Sequence, residues 1–394
     1  MKPVKIELFH AATPLKSKIK HASHERSISD DLIVAVTLAD GSMGYGEGVP
    51  RTYVTGDTIE SSMNVLESFN LAEHMGSPRT FAEAVARIGA MEFPVTLADP
   101  RGMTGNPARC ALELAALDAY ARSFGESLGT AVELFANRLD ADLTRPPARV
   151  RYSGAITAET KRKETISAIK MWLYNFAQVK VKVGVTGQDD PARMRKFRRI
   201  LGSRIDIRID ANESWSADEV VDRVEPLLRY KPSALEQPVA HGEVERLAEL
   251  RPRLGVPVML DESLCGYPDA EKAARLGLAD FFNVRLSKCG GIAPVLKIVE
   301  LARRRGIGLQ LGCHPGETGI LSAAGRHVAS RIGAFRYVEG SYDKHILLQN
   351  ITRPDITFRF GGWAKPIGGS GLGVEVDRDA LESLTVTRSE AFYD

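Results

Sequence analysis

The chain has 394 residues, 44% of them hydrophobic and 26% charged, with a formal net charge of +2. This is the composition of an ordinary soluble globular protein, and its length suggests two domains, or one large barrel with a smaller partner. The balanced charge, with no run of five or six like charges, argues against nucleic acid or an anionic membrane as partner. No stretch approaches the roughly 18 apolar residues of a spanning helix.

The opening residues, MKPVKIELFHAA, form a lysine-punctuated strand without the apolar core of a signal peptide. Four cysteines, Cys110, Cys265, Cys289 and Cys313, lie far apart with no CxxC. The expectation is a reduced cytoplasm with free thiols. Residues 1–60 alternate like an antiparallel sheet ("VKIELFHA", "DLIVAVTLADG", "GYGEGVP"), with Asp40–Gly41 as a hairpin turn. From about 58 to 136 the pattern is helical. It is clearest in "NPARCALELAALDAYARSFG", where Asn106 is the expected cap, Pro107 the first helical residue and Gly125 the stop. This reads as a small α+β domain, with the basic, proline-containing 145–151 as the best boundary region.

Beyond it, strand-like runs ("VRYSGAI", "QVKVKVG", "IDIRID", "SALEQP", "VPVMLDES", "DFFNVRLS", "IGLQLGC", "FRYVEG") alternate with helical segments such as "DPARMRKFRRIL" and "APVLKIVELARRRG". Strands alternating with helices over some 200 residues imply parallel β/α units, and eight of them imply a TIM-type barrel. An open doubly wound sheet is the alternative, but no GxGxxG follows the first strand.

Lys182, Asp210, Glu236, Asp261, Lys288, Cys313 and Glu339 fall at successive expected strand ends, at intervals of 28, 26, 25, 27, 25 and 26 residues. One β/α unit per interval places them together on the C-terminal rim, where barrel enzymes keep their chemistry. Three converging carboxylates, Asp210, Glu236 and Asp261, repel one another unless a cation neutralises them. Oxygen ligands suit Mg²⁺ or Mn²⁺ rather than zinc. Each alone also reads as a helix N-cap; it is the shared phase that points to a metal. Lys180 and Lys182 share one face of a strand, which reads as the inside of the barrel mouth, with a solvated edge strand as the alternative. Lys182 on one side of the triad and Lys288 on the other flank whatever the metal holds. An amine beside a cation has a lowered pKa, so it can act as a base near neutrality.

These motifs resemble the enolase superfamily, in its mandelate racemase and muconate-lactonising enzyme branch. "KVK" resembles its Lys-x-Lys, with Lys182 as acid/base. "DANESW" (Asp210, Asn212), "LEQP" (Glu236) and "LDES" (Asp261) resemble its metal-ligand strands, and "LSKCGGI" its strand-six lysine, here Lys288. The lysine pair points to the muconate-lactonising subgroup. The resemblance implies an α/β fold, a (β/α)₇β modified TIM barrel over 141–350. An α+β capping domain would come from 1–140, with a segment at 351–394 returning to it. It also implies an isomerase that removes a proton α to the carboxylate of a small-molecule substrate through an enediolate, in a homo-oligomer. The reaction would be a racemase or epimerase of an amino-acid derivative, or a muconate-type cycloisomerase. Further alternatives are an o-succinylbenzoate synthase-like dehydratase and a non-catalytic metal-binding barrel. Lys180, Asn212, Cys313 and Glu339 are the candidate substrate contacts; for Cys313 a buried filler, and for Glu339 a salt bridge, remain open. His314 reads as a loop histidine near the mouth. The cap loops at about 16–26 and 50–57 should close over it; Arg26 and Tyr53 are candidates there, with solvent exposure as the reading that weighs more for each.

Overall fold

The structure, a computed structural model, describes residues 1–20, 25–93, 105–139, 142–157 and 160–393. The expected boundary between 140 and 141, part of the cap loop at 16–26, and part of the helical stretch at 58–136 lie outside these residues.

Eight strands form one parallel sheet in which each pairs with the next: Gly154–Ile156, Gln178–Lys182, Asp206–Asp210, Leu235–Glu236, Val258–Leu260, Phe281–Val284, Gly308–Leu311 and Phe335–Val338. They are the first to eighth barrel strands. The two ends of the sheet meet where the Ser153 N–H donates to the Val338 carbonyl at 2.8 Å. Period-two alternation sorts the side chains. Val179 and Val181 are fully buried, while Lys180 and Lys182 on the other face are partly exposed. Ala234, Met259, Phe281 and Tyr337 form an apolar cluster of their own, contributed by the fourth, fifth, sixth and eighth staves, which floors the barrel. The expected (β/α)₇β architecture is the one observed. Helices such as Asp190–Leu201 and Ile292–Arg305 connect the strands, and after the eighth strand the chain leaves for the cap.

The cap is a four-stranded antiparallel sheet in the order Thr385–Phe392, Pro3–Lys20, Glu25–Leu38, Met43–Gly48. The Asp40–Gly41 turn is present, with Gly41 at φ 85° and the Ser42 N–H on Asp40 Oδ1 at 3.0 Å. The first two strands run well past the alternating pattern, and the Leu348 N–H donates to the Pro14 carbonyl at 2.9 Å. Their outer half therefore rests on the segment after the eighth barrel strand. In Met43–Gly48 every second residue is glycine, and the long helix Asn106–Phe124 lies directly on that face. A Cβ on Gly46 would stand 1.9 Å from the Ala111 carbonyl oxygen.

That helix starts differently from the sequence reading. Gly105, in a left-handed conformation, is its N-cap, and Asn106 is its first residue. The Asn106 side chain is engaged elsewhere: its amide donates to the Cys265 carbonyl at 2.8 Å and the Lys288 carbonyl at 2.9 Å. Cap carboxylates also secure two barrel helices. Glu47 accepts from the Thr318 N–H at 2.7 Å and the Leu321 N–H at 3.0 Å, at the start of Gly319–Arg331. Glu113 accepts from the N–H groups of Ile292 and Ala293, at the start of Ile292–Arg305. Orphan N–H groups and the positive end of the helix favour a carboxylate there. All four cysteines are free thiols. Among the described residues no helix is long and apolar enough to cross a membrane.

Candidate active site

The inward phase of the second strand brings Lys180 into the barrel. Its ammonium stands 3.3 Å from Asp210 Oδ2, 3.3 Å from Glu236 Oε1 and 3.0 Å from Glu339 Oε2. Burial alone would lower its pKa, but Glu236, Glu339 and Asp210 outweigh burial and hold it well above the ordinary lysine value. Lys182, one step higher on the strand and paired in register with Asp210, goes the other way. Burial lowers its pKa, against the attraction of Asp210 and Glu262. Two lysines of one strand thus differ in character: carboxylate neighbours favour the charge on Lys180, and burial disfavours it on Lys182.

The three carboxylates end the third and fourth strands and follow the fifth, as expected, and all are buried. Burial raises Asp210, and raises Glu236 to about 8. Asp261 is held down to about 2, since Arg285 and Lys288 overcome its burial. Asn212, at φ 43°, donates its backbone N–H to Asp210 Oδ1 at 3.1 Å and its side-chain amide to Glu262 Oε1 at 3.1 Å. These bonds make it a brace for Asp210 and Glu262. The sequence reading missed two further braces. Gln237, at φ 35°, accepts from the Asp261 N–H at 2.9 Å, and Asn283 donates to Glu236 Oε1 at 2.8 Å.

Lys288 is not at the mouth. It lies in a helical turn, Leu286–Cys289, that follows the sixth strand, and it is fully buried. Its ammonium donates to the Asp261 carbonyl at 2.6 Å, Asp261 Oδ1 at 2.8 Å and the Asn283 carbonyl at 2.9 Å. An ammonium has three N–H groups, and these three acceptors occupy them. The side chain that continues the inward phase of Phe281 and Asn283 is Arg285, which pairs with Asp261. The sequence reading assigned Arg285 no role.

Glu339 settles as a salt bridge, with Arg208 Nη2 at 2.7 Å and Lys180 at 3.0 Å. Arg208 is itself fully buried, 4.2 Å over the Tyr337 ring. Cys313 is partly exposed and borders, with Glu339, Tyr152 and Glu317, a cavity of about 10 Å³. Burial and nearby Glu317 push its thiol well above the usual range. His314 is buried, both ring nitrogens lack a hydrogen-bond partner, and burial followed by Arg285 keeps it neutral. Arg26 donates to Tyr53 Oη at 2.9 Å and to the Pro315 carbonyl at 2.5 Å, so the two cap residues meet each other and the loop carrying His314.

The donor set fits a hard divalent cation: three carboxylates from adjacent staves, all oxygen. Glu236 Oε2 is buried without a hydrogen-bond partner, and the Lys180 ammonium bridges Asp210 and Glu236 as a cation would. Among the described residues no three Asp, Glu, His or Cys side chains converge as a metal cage. Arg285 and Lys288 draw Asp261 towards the sixth strand, so ligation by all three requires that pairing to loosen.

Known proteins are similar over nearly the whole chain. A hydrophobic dipeptide epimerase of Enterococcus faecalis is 27% identical over 356 residues, 90% of this chain and 89% of its own. An N-succinyl-L-Arg/Lys racemase of Bacillus cereus is 28% identical over 397 residues, 98% of each. The crystal structure of a dipeptide epimerase from Cytophaga hutchinsonii, in complex with Mg and the dipeptide D-Ala-L-Val, superposes with a TM-score of 0.83. It is 24% identical and covers 99% of this chain and 100% of its own. Residues 164–380, more than half of the chain, match the enolase C-terminal domain-like family, and the protein belongs to it.

Proposed function

We propose that this protein is a Mg²⁺-dependent isomerase that removes the proton α to the carboxylate of an amino-acid derivative, with Lys182 as the base and Asp210, Glu236 and Asp261 as metal ligands. The observation that carries the reading is geometric: Lys182, paired in register with Asp210, ends the second strand beside the strands that carry Asp210, Glu236 and Asp261. The relatives named as an epimerase and a racemase, and the Mg complex of the neighbour, support the reaction class and the cofactor. Bound there, the cation supplies positive charge against the negative charge that builds on the substrate carboxylate as the α-proton leaves. Lys182 accepts that proton, Lys180 holds Glu236 and Glu339 in place, and the Arg26–Tyr53 contact lies against the loop that carries His314. The muconate-lactonising subgroup is the finer reading of the Lys-x-Lys strand. The division at 140 and 350 and a cytoplasmic location belong to the same proposal.

The test is loss of the α-proton signal in D₂O, by NMR, with dipeptides and N-succinyl amino acids as probes. Calorimetric titration with Mg²⁺ and Mn²⁺ runs beside it. Binding without exchange would favour a non-catalytic metal-binding barrel, and absence of both would sink the proposal.

A further inference from the structure

We infer that Arg285, not Lys288, is the sixth-strand side chain that faces the bound α-carbon. It serves there as a permanent cation, so that proton abstraction is one-sided, through Lys182. The inference rests on the α-proton reading above and assigns the opposite face of the same site.

The geometry comes from the backbone. The sixth strand points Phe281 and Asn283 into the barrel: Phe281 joins the apolar floor and Asn283 reaches Glu236 Oε1 at 2.8 Å. Two residues on, the same phase delivers Arg285 to Asp261. After Arg285 the chain turns helical, and Lys288 folds back beneath Asp261. The cap grips this turn from outside. Asn106 donates to the Lys288 carbonyl at 2.9 Å, Arg109 donates to the Gly290 carbonyl at 2.6 Å, and Glu113 holds the N–H groups of Ile292 and Ala293. Swinging the Lys288 side chain to the mouth would break its three acceptor bonds, and unwinding the turn to carry it there would break this clamp as well.

Arginine cannot serve as a base at ordinary pH, because its guanidinium does not give up its proton in proteins. What it offers is a fork of N–H donors matched to a carboxylate. Arg285 at this position can orient and neutralise a substrate carboxylate, but it cannot remove a proton from that face. Among the described residues, and besides the carboxylates already described, the groups near Arg285 that could take a proton are Cys313, His314 and Glu317, all on the loop after the seventh strand and none on the sixth.

The experiment uses the Mg²⁺-loaded full chain in D₂O with each hand of N-succinylarginine and each α-epimer of Ala-Glu, followed by NMR. The expected result is exchange from one hand only, lost about 10²–10⁴-fold in Lys182→Ala. Lys288→Met should keep the same handedness, and Arg285→Lys should add exchange from the other hand. Comparable exchange from both hands in the wild type overturns the inference, and loss of one hand in Lys288→Met, His314→Gln or Glu317→Gln then names the second base. Absence of exchange from every probe counts against the reaction class, and reductive methylation with ¹³C-formaldehyde then decides the geometry. The folded protein should give a Lys182 resonance, identified by its loss in Lys182→Ala, and none from Lys288, while Arg285→Lys should add one. Labelling of Lys288 as ready as that of Lys182 overturns the inference.

Discussion

The ends of the second and sixth barrel strands each carry two cations, and they use them in opposite ways. Lys180 and Lys182 are two apart on a continuing strand, so both enter the barrel. Arg285 and Lys288 are three apart across a change from strand to helical turn, so one enters and the other is turned underneath. A spacing means one thing at period two and another at 3.6. The lesson is that residue counts between staves locate the rim but not which residue at the rim points inwards.

The largest expected effect separates the two lysines by chemistry. Lys182→Ala should lower α-proton exchange by about 10²–10⁴-fold while calorimetry still shows Mg²⁺ binding, since the amine is not a ligand. Exchange surviving in that variant would break the comparison at its first member. Stability should separate them in the reverse order. Lys288→Met strips a buried cation from three acceptors and should cost near the lower end of ~3–5 kcal/mol, because Arg285 still pairs with Asp261. Lys182→Ala should cost about 1 kcal/mol or less, and urea unfolding of both variants reads the difference.

A smaller effect probes the cap clamp on the helix after the sixth-strand turn. Glu113→Ala removes the acceptor for two helix N-terminal N–H groups and should cost ~0.5–2 kcal/mol, measured by thermal unfolding. A pH control reads a separate group. Burial depresses His327 to about 4, and its Nε2 sits 3.0 Å from the Leu372 carbonyl. A histidine whose folded pKa lies below the unfolded value of about 6.5 gives stability that is present above pH 6.5. That stability is lost as pH falls towards 4, by at most ~1.4 kcal/mol per pH unit. His327→Gln should flatten the fall of Tm with acid. Exchange through Lys182 should instead rise with pH and level off below the ordinary lysine value, so the two profiles are separable.

Much of this was legible in the residues. The β/α alternation gives eight staves, and the carboxylates of DANESW, LEQP and LDES each end or follow a strand, where phase and spacing agree. The same period-two counting, carried from Phe281 through Asn283, leads to Arg285; interval counting cannot choose, because Arg285 lies 24 residues after Asp261 and Lys288 lies 27. Asn106 looked like a helix cap because its type favours caps, and only the fold reveals that its amide is spent on the barrel. Gln237 and Asn283 were hidden for another reason. A brace acts through a partner remote in sequence, and no local pattern records it. The extra length of the first hairpin was equally hidden, since its outer half pairs across a stretch without clean alternation.

The cap sheet places Thr385–Phe392 beside Pro3–Lys20, with the whole barrel between them in sequence. During synthesis, therefore, Pro3–Lys20 emerges with one unpaired edge and keeps it until after the whole barrel has been made. Such an edge is a template for pairing with another chain, and contacts this distant in sequence form slowly. The nascent protein should then depend on chaperones, or on low concentration, far more than its finished form does. A version permuted to join the two strands by a short turn should refold from urea with less aggregation, without altering any residue at the mouth.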